Sequence, residues 1–264
     1  MSDWTAQSGA GVRFEWGPAG ADRLATEADC LVVVDVLSFS TSVSVAVEKG
    51  TRVLPFWWPQ HPADADERGA IERAAAAYAR QSGARLAVHR SAVSPENPWS
   101  LSPCHLRAAP FVARLVLPSP NGAAISTAVP PGVRLVSASL RNITAVGGWL
   151  ISHGYGTPGR PVAVIAAGEH WPDGSLRPAL EDLLGAGALI SDLHAQGAGP
   201  LSTEAAAAKA VYEATADLAH AVATAASGRQ LLAMGFAEDV AIATDEDASA
   251  LVPVRDGDGA FACG

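Results

Sequence analysis

Residues 30 to 37 read CLVVVDVL, a β-branched run in which apolar and polar positions do not alternate. A strand buried on both faces of a parallel sheet reads this way, because neither face meets water. The strand expected from Leu31 to Leu37 ends in an acid, Asp35. Short apolar runs recur at Arg114 to Leu117, Val133 to Val136 and Val162 to Ala167, each followed by small polar residues and then a helical pattern. That βα repeat predicts a layered α/β/α fold with a mostly parallel sheet. Ala-rich periodicity predicts helices over Ala63 to Ser82, Asn142 to His153, Arg177 to Gln196 and Ser202 to Thr224, the last with Ser202 as its cap. Two shorter helices follow, Arg229 to Met234 and Ala237 to Ala243, and then a closing hairpin of Leu251 to Val254 and Ala260 to Cys263 around DGDG at 256 to 259. Stretches rich in Pro and Trp, Trp57 to Pro62 and Pro95 to Pro103, lack either period and predict loops over the sheet.

With 264 residues and no linker that cuts it, the chain is read as a single unit over 1–264, built as one large domain or as two intimate subdomains. Hydrophobic residues make up 49% and charged ones 17%, and mean hydropathy is +0.18, yet no apolar run reaches spanning length. No membrane partner is expected. Met1 to Gly11 lacks the basic-then-apolar pattern of a secretory signal, so a cytoplasmic location is expected. Cys30, Cys104 and Cys263 are scattered and form no CxxC pair, which points to reduced thiols rather than disulfides or zinc. A net charge of -9 argues against nucleic acid as a partner, which needs a basic stripe. A small anion remains compatible, since helix N-termini, one or two arginines and a metal ion suffice to hold it.

Ligands of open α/β sheets bind beyond the carboxyl ends of strands, and four such junctions here are polar. At 35 to 42, DVLSFSTS offers Asp35 to a metal, while Ser40, Thr41 and Ser42 either cap a helix or aim its amides at a phosphate. At 118 to 122, PSPNG presents Ser119, Asn121 and Gly122, readable as a phosphate cradle or as turn chemistry alone. At 139 to 142, SLRN places Arg141 where it would hold a carboxylate or phosphate bidentately, or lie solvated. At 166 to 170, AAGEH brings out Glu169 and His170 as a metal ligand and a general acid or base. Beyond them Arg177 and Glu181 have the spacing of a helical ion pair, whereas Asp182 shares a stripe with Gly185, Ala186 and Leu189. An acid on a stripe of small residues calls for a metal or a neighbouring arginine.

GYGTPG at 154 to 159 has the letters of a dinucleotide fingerprint but follows a helix and precedes a strand, the reverse of the required context. It reads as a helix end and turn. No P-loop and no G-x-S-x-G motif occurs.

Taken in order, Asp35-Val-Leu with Ser-Thr, Asn121-Gly122, Arg141-Asn142 with Ala145-Val146, Ala167-Gly168, and Glu181-Asp182 with Ala186-Gly187 form one pattern. It continues with Ser227-Gly228-Arg229 and Leu232, Gly235-Phe236 before Glu238-Asp239, and Asp247 before Val252-Pro253. From about residue 30 to 255 it resembles the 2-phosphosulpholactate phosphatases. The resemblance implies an α/β fold of its own and a Mg²⁺-dependent phosphohydrolase of the coenzyme M pathway, with Asp35, Asn121, Arg141, Glu181 and Asp182 in or near the site. The chain departs from the pattern at Ser38, where many members carry a basic residue, and at WSLSP (99 to 103), where members show an aromatic and acidic stretch.

The expectation is therefore a phosphatase acting on a small phosphorylated hydroxy acid. Mg²⁺ would be held by Asp35 and by Glu181 or Asp182, with Ser40, Thr41, Ser119, Asn121, Gly122 and Asn142 binding the substrate. Arg141, Glu169 and Arg177 would act beside Asp35 in catalysis. Leu37 stands where a D-x-D nucleophile would place its second acid, which favours direct attack by water. A non-catalytic binder of the same acids is the alternative, and the missing fingerprint counts against a nicotinamide-dependent oxidoreductase. A homo-oligomer is compatible with the sequence.

Overall fold

The computed structural model describes residues 3–59, 64–130 and 132–264. The chain opens with β1 (Val12–Trp16), α1 (Gly17–Ala25), β2 (Cys30–Val34), α2 (Phe39–Glu48) and β3 (Arg52–Trp57). Next come α3 (Ala65–Gln81), β4 (Arg85–Leu86), α4 (Pro103–Ala108), β5 (Arg114–Ser119), α5 (Gly122–Ala128), β6 (Arg134–Ala138) and α6 (Ile143–Ser152). Then follow β7 (Val162–Ala166), β8 (Glu169–His170), β9 (Leu176–Arg177), α7 (Leu180–Ala195), α8 (Thr203–Glu213) and α9 (Leu218–Thr224). The order closes with α10 (Ala226–Ala233), α11 (Ala237–Ala243), β10 (Pro253–Arg255) and β11 (Phe261–Cys263).

Nine strands form one sheet in the order β1-β7-β2-β6-β10-β11-β3-β5-β4, and β8 and β9 pair separately. The first four are parallel to one another, as are β3, β5 and β4. Between these groups lies the antiparallel β10–β11 hairpin, joined to β6 by the pair Val254↔Val136 and to β3 by Phe261↔Val53. The sheet is mostly parallel, as the βα repeat predicts. Cys30, Val32 and Val34 of β2 enter one core with residues of α6, α7 and α8, whereas Leu31 and Val33 enter another with α1, α2 and α5. Helices therefore cover both faces, which explains why β2 reads as a continuous apolar run. No helix among the described residues is long and apolar enough to cross a membrane.

Several boundaries differ from expectation, each for a local reason. Ala63 and residues 60–62 of the Trp57 to Pro62 stretch lie outside the described residues, as do Met1 and Ser2; α3 starts after Asp64, whose carboxylate accepts the Glu67 amide. The helix expected over Ser202 to Thr224 is two helices, because Asp217 captures the His220 amide and starts α9 afresh. Ser202 does cap α8, accepting from the Ala205 amide. The Pro95 to Pro103 stretch ends in α4, capped by Ser102. β1 and β3 are not evident from periodicity: β1 carries Arg13, whose buried guanidinium donates to the Ala6 and Ala10 carbonyls, and β3 carries Pro55. Arg177 belongs to β9 rather than to α7, so it shares no helix face with Glu181.

β2 and β7 are adjacent and parallel, with Val34 opposite Ala166. Their carboxyl ends thus bring Asp35 and the Ala167–Glu169 turn side by side. The close packing expected around Asp182 is present: a Cβ at Gly185 would lie 2.8 Å from Val36 and 2.9 Å from Val34, and one at Gly187 would lie 2.4 Å from the Ala208 carbonyl.

Candidate active site

Asp35 is buried where β2 ends. Its Oδ1 accepts the Phe39 amide at 3.0 Å and its Oδ2 the Gly122 amide at 2.8 Å, so one carboxylate orders both its own loop and the turn after β5. Burial pushes its acid up to about 6; the two amides oppose this, the charge of Glu181 adds to it and Arg90 opposes it. Asp182, in the first turn of α7, plays a matching part: Oδ1 accepts the Val36 amide at 2.7 Å and Oδ2 the Gly168 amide at 2.9 Å. No arginine pairs with it among the described residues. Burial, with the charges of Asp35 and Glu181, raises its acid well above the usual range.

Glu181, beside Asp182 in sequence, is 2% exposed and makes no hydrogen bond or ion pair among the described residues. It acts electrostatically on Asp35, Asp182 and Glu169. Its oxygens are not among the fully enclosed, unpartnered side-chain atoms of the described residues, so they keep an opening toward solvent or a ligand. Glu169 opens β8, and burial raises its acid to about 7; Asp35 and Glu181 add to the rise, while Asn121 and Arg177 oppose it. Four carboxylates thus meet at the carboxyl ends of β2 and β7. His170 is the next residue along β8 and so projects to the opposite face.

Arg177 sits across from Glu169 in the β8–β9 ladder, donates to Ser227 Oγ at 3.2 Å and lies 5.9 Å over the Trp171 ring. Asn121 is 6% exposed; its amide supports the Glu169 carboxylate, while its Oδ1 is buried without a partner. Among the described residues no group of three carboxylate, imidazole or thiol side chains is placed to form a metal cage by itself.

Other predicted site residues are engaged elsewhere. Arg141, 2% exposed, grips Glu48 at 2.9 and 3.1 Å, lies 3.8 Å from Asp245 and donates to the Ile242 carbonyl. Glu48 ends α2 whereas Asp35 precedes its start, a separation of about 15 Å for a helix of this length. Arg141 is neither solvated nor part of the acidic cluster. Asn142 gives its amide to the Ser137 and Leu251 carbonyls and accepts the Ser139 amide, so it braces a turn. The hydroxyl protons of Ser40, Thr41 and Ser42 go to the carbonyls of Val33, Val36 and Leu101. They staple the loop instead of offering themselves to a phosphate, and the N-cap position of α2 is Ser38. Ser119 Oγ accepts the Asn121 amide at 3.3 Å, and the Gly122 amide is taken by Asp35.

Sequence reading missed Arg90. It lies in a stretch without either period, and its guanidinium donates to Ser38 Oγ at 2.8 Å and contacts Asp239 at 3.4 Å. The signal available was Ser38 itself, an uncharged residue in an acidic neighbourhood that needs a cation from elsewhere.

No curated protein matches the chain. A family model described as 2-phosphosulpholactate phosphatase does match, over residues 20–258. That span takes in β2, β7, the four carboxylates and both nearby arginines, and it leaves out only the first strand and the final one among the sheet strands. Most of the fold and the whole acidic cluster therefore fall within a single match, and the chain belongs to the 2-phosphosulpholactate phosphatase family of phosphoric monoester hydrolases.

Proposed function

We propose that the protein hydrolyses the phosphomonoester of a small hydroxy acid of the 2-phosphosulpholactate type, with Mg²⁺ as cofactor. Glu181 carries this reading: a carboxylate in a buried residue, without a hydrogen bond or ion pair among the described residues and with its charge acting on three other acids, is suited to a cation. Mg²⁺ commonly takes one or two carboxylates and completes its shell with water and substrate phosphate, so a protein-only cage is not required. Asp35 and Glu181 would hold it, and Asp182 fixes the backbone beside them. When bound, the ion would neutralise and polarise the phosphoryl group.

The chemistry left to the chain is positioning and proton transfer. The alcohol of a phosphomonoester departs as an alkoxide through a loose transition state, so protonation of the leaving oxygen is the most valuable step. Glu169, with an acid near 7, supplies that proton. Water forms the new P–O bond, the ester P–O bond breaks, Glu169 protonates the leaving oxygen, and the proton lost by the attacking water restores Glu169. Asn121 Oδ1 is an unused acceptor for that water or for the product hydroxyl. Arg177 stands opposite Glu169 in the β8–β9 ladder and would balance charge there.

A non-catalytic binder of the same acids is the second reading, prompted by the uncharged Ser38. Arg90 restores a positive charge at that position and weighs against it. Phosphate release from 2-phosphosulpholactate, 2-phospholactate and 2-phosphoglycolate, with Mg²⁺ and with EDTA, separates the two. Metal-dependent release, reduced about 10²-fold or more in Asp35→Asn and Glu169→Gln, is expected. Thermal stabilisation by these acids without any release would overturn the hydrolase in favour of the binder.

A further inference from the structure

Arg90 is held from several sides. Through Nη2 it donates to Ser38 Oγ at 2.8 Å and to the Leu101 carbonyl at 3.3 Å, and through Nε to Asp239 Oδ2 at 3.4 Å. The Phe236 ring lies 5.6 Å from its guanidinium carbon, and the side chain is only 16% exposed. Nη1 donates to no group among the described residues. Asp35 and Glu169 both act on its charge.

An ion pair serving the fold alone does not require this arrangement. Asp239 is fully buried and already accepts Ser102 Oγ at 2.5 Å and the Cys104 amide at 3.1 Å, which anchors the start of α4. Its contact with Arg90 is single and long, whereas arginine–carboxylate pairs that carry strength are short and often bidentate. The guanidinium is fixed in place with one nitrogen unspent, the preorganisation that a charge-stabilising donor needs.

On the reading given above, the phosphoryl group lies between Asp35, on the metal side, and Glu169, the proton donor to the leaving oxygen. The charge of Arg90 is felt by both acids, and its Nη2 is bonded to Ser38, three residues beyond Asp35. We propose that Arg90 is the phosphoryl-binding arginine of this site, with Nη1 hydrogen-bonded to a phosphoryl oxygen and stabilising its charge as the ester bond breaks. This inference rests on the hydrolase reading and gives Arg90 the role that the sequence suggested for Arg141 or Arg177.

The test compares Arg90→Met and Arg90→Lys with the wild-type protein, all with Mg²⁺. In Arg90→Met, kcat is expected to fall about 10²-fold with far less change in KM, the pattern of a donor used mainly in the transition state. Inorganic phosphate, titrated by calorimetry, is expected to bind at least about 10-fold more weakly, because a charge-assisted hydrogen bond is lost. Arg90→Lys keeps a cation beside Asp239 and controls for folding; weakened phosphate binding in a lysine variant that melts like the wild type sustains the proposal. Phosphate binding and kcat unchanged in a folded variant would overturn it. Should the wild-type protein hydrolyse none of the panel, the hydrolase reading fails separately, and phosphate binding alone decides Arg90: binding lost in the variants sustains the assignment, binding unchanged or absent overturns it.

Discussion

The amide of Gly122 donates to Asp35 Oδ2 at 2.8 Å across 87 residues of sequence, fastening the turn after β5 to the acid that ends β2. A Cβ at position 122 would lie 2.4 Å from the Phe39 ring and 2.8 Å from that same carboxylate oxygen. Glycine stands here for closeness, not for turn freedom. Gly122→Ala should cost about 1–3 kcal/mol in urea unfolding, typical of forced overpacking, and should lower turnover by displacing Asp35. Stability equal to wild type would mean that the contact yields easily.

Asp35 and Glu169 have acids raised from 3.8 and 4.5 to about 6 and about 7, and Asp182 is raised as well. Each holds its proton more tightly when folded than when unfolded. The stability this contributes is complete below about pH 4 and is lost as pH climbs through about 6 and 7. Without Mg²⁺, the melting temperature should fall between pH 5 and 7.5, and Glu169→Gln should flatten the upper part of that decline. Thermal scans across this window that rose with pH would contradict the clustering of these acids.

On the proposed mechanism the same acid, Glu169, would set the rate. With Glu169 as proton donor, kcat should drop tenfold per pH unit well above its titration point near 7. A pH–rate profile of Glu169→Gln should lack that limb.

On the proposed reading, Glu181 sets its carboxylate among three other acids, a repulsion that a bound cation would offset. Glu181→Gln should raise the melting temperature in EDTA, at roughly 2–4 °C per kcal/mol gained, and should abolish stabilisation by added Mg²⁺. Thermal scans with and without the ion would show whether both changes occur together; a variant that still responds to Mg²⁺ like the wild type would remove Glu181 from the metal site.

Arg141 should behave in the opposite way. Arg141→Met removes a buried guanidinium but leaves Glu48, 29% exposed, in reach of water, so the loss should be about 1.5–3 kcal/mol, that of a charged hydrogen bond, rather than that of a fully buried pair. Phosphate release per folded molecule should stay near wild type. A large fall in kcat with unchanged unfolding free energy would restore Arg141 to the site.

Elements buried on both sides were legible in the sequence: β2, β5, β6 and β7 declare themselves because a strand between two helical layers has no polar face. β1 and β3 were hidden by Arg13 and Pro55, whose demands are met by tertiary contacts that periodicity does not express. Asp35, Glu169, Glu181 and Asp182 could be picked out because acids at the ends of apolar runs or on stripes of small residues are conspicuous. Hydroxyls and amides were ambiguous, since Ser40, Thr41 and Asn142 have the same letters whether they face a ligand or a carbonyl. Arg90 was illegible because its place depends on Asp239 and Phe236, which lie far along the chain.

The β10–β11 hairpin sets an order of assembly. It links β6 to β3 through Val254↔Val136 and Phe261↔Val53, so the two parallel groups remain separate edges until residues 253–263 arrive. Such long-range pairing is slow to form, and in the interval β6 and β3 expose backbone groups that invite pairing with other chains. A nascent or nicked molecule lacking this hairpin is thus two open templates, and its hazard is self-association before it is loss of activity.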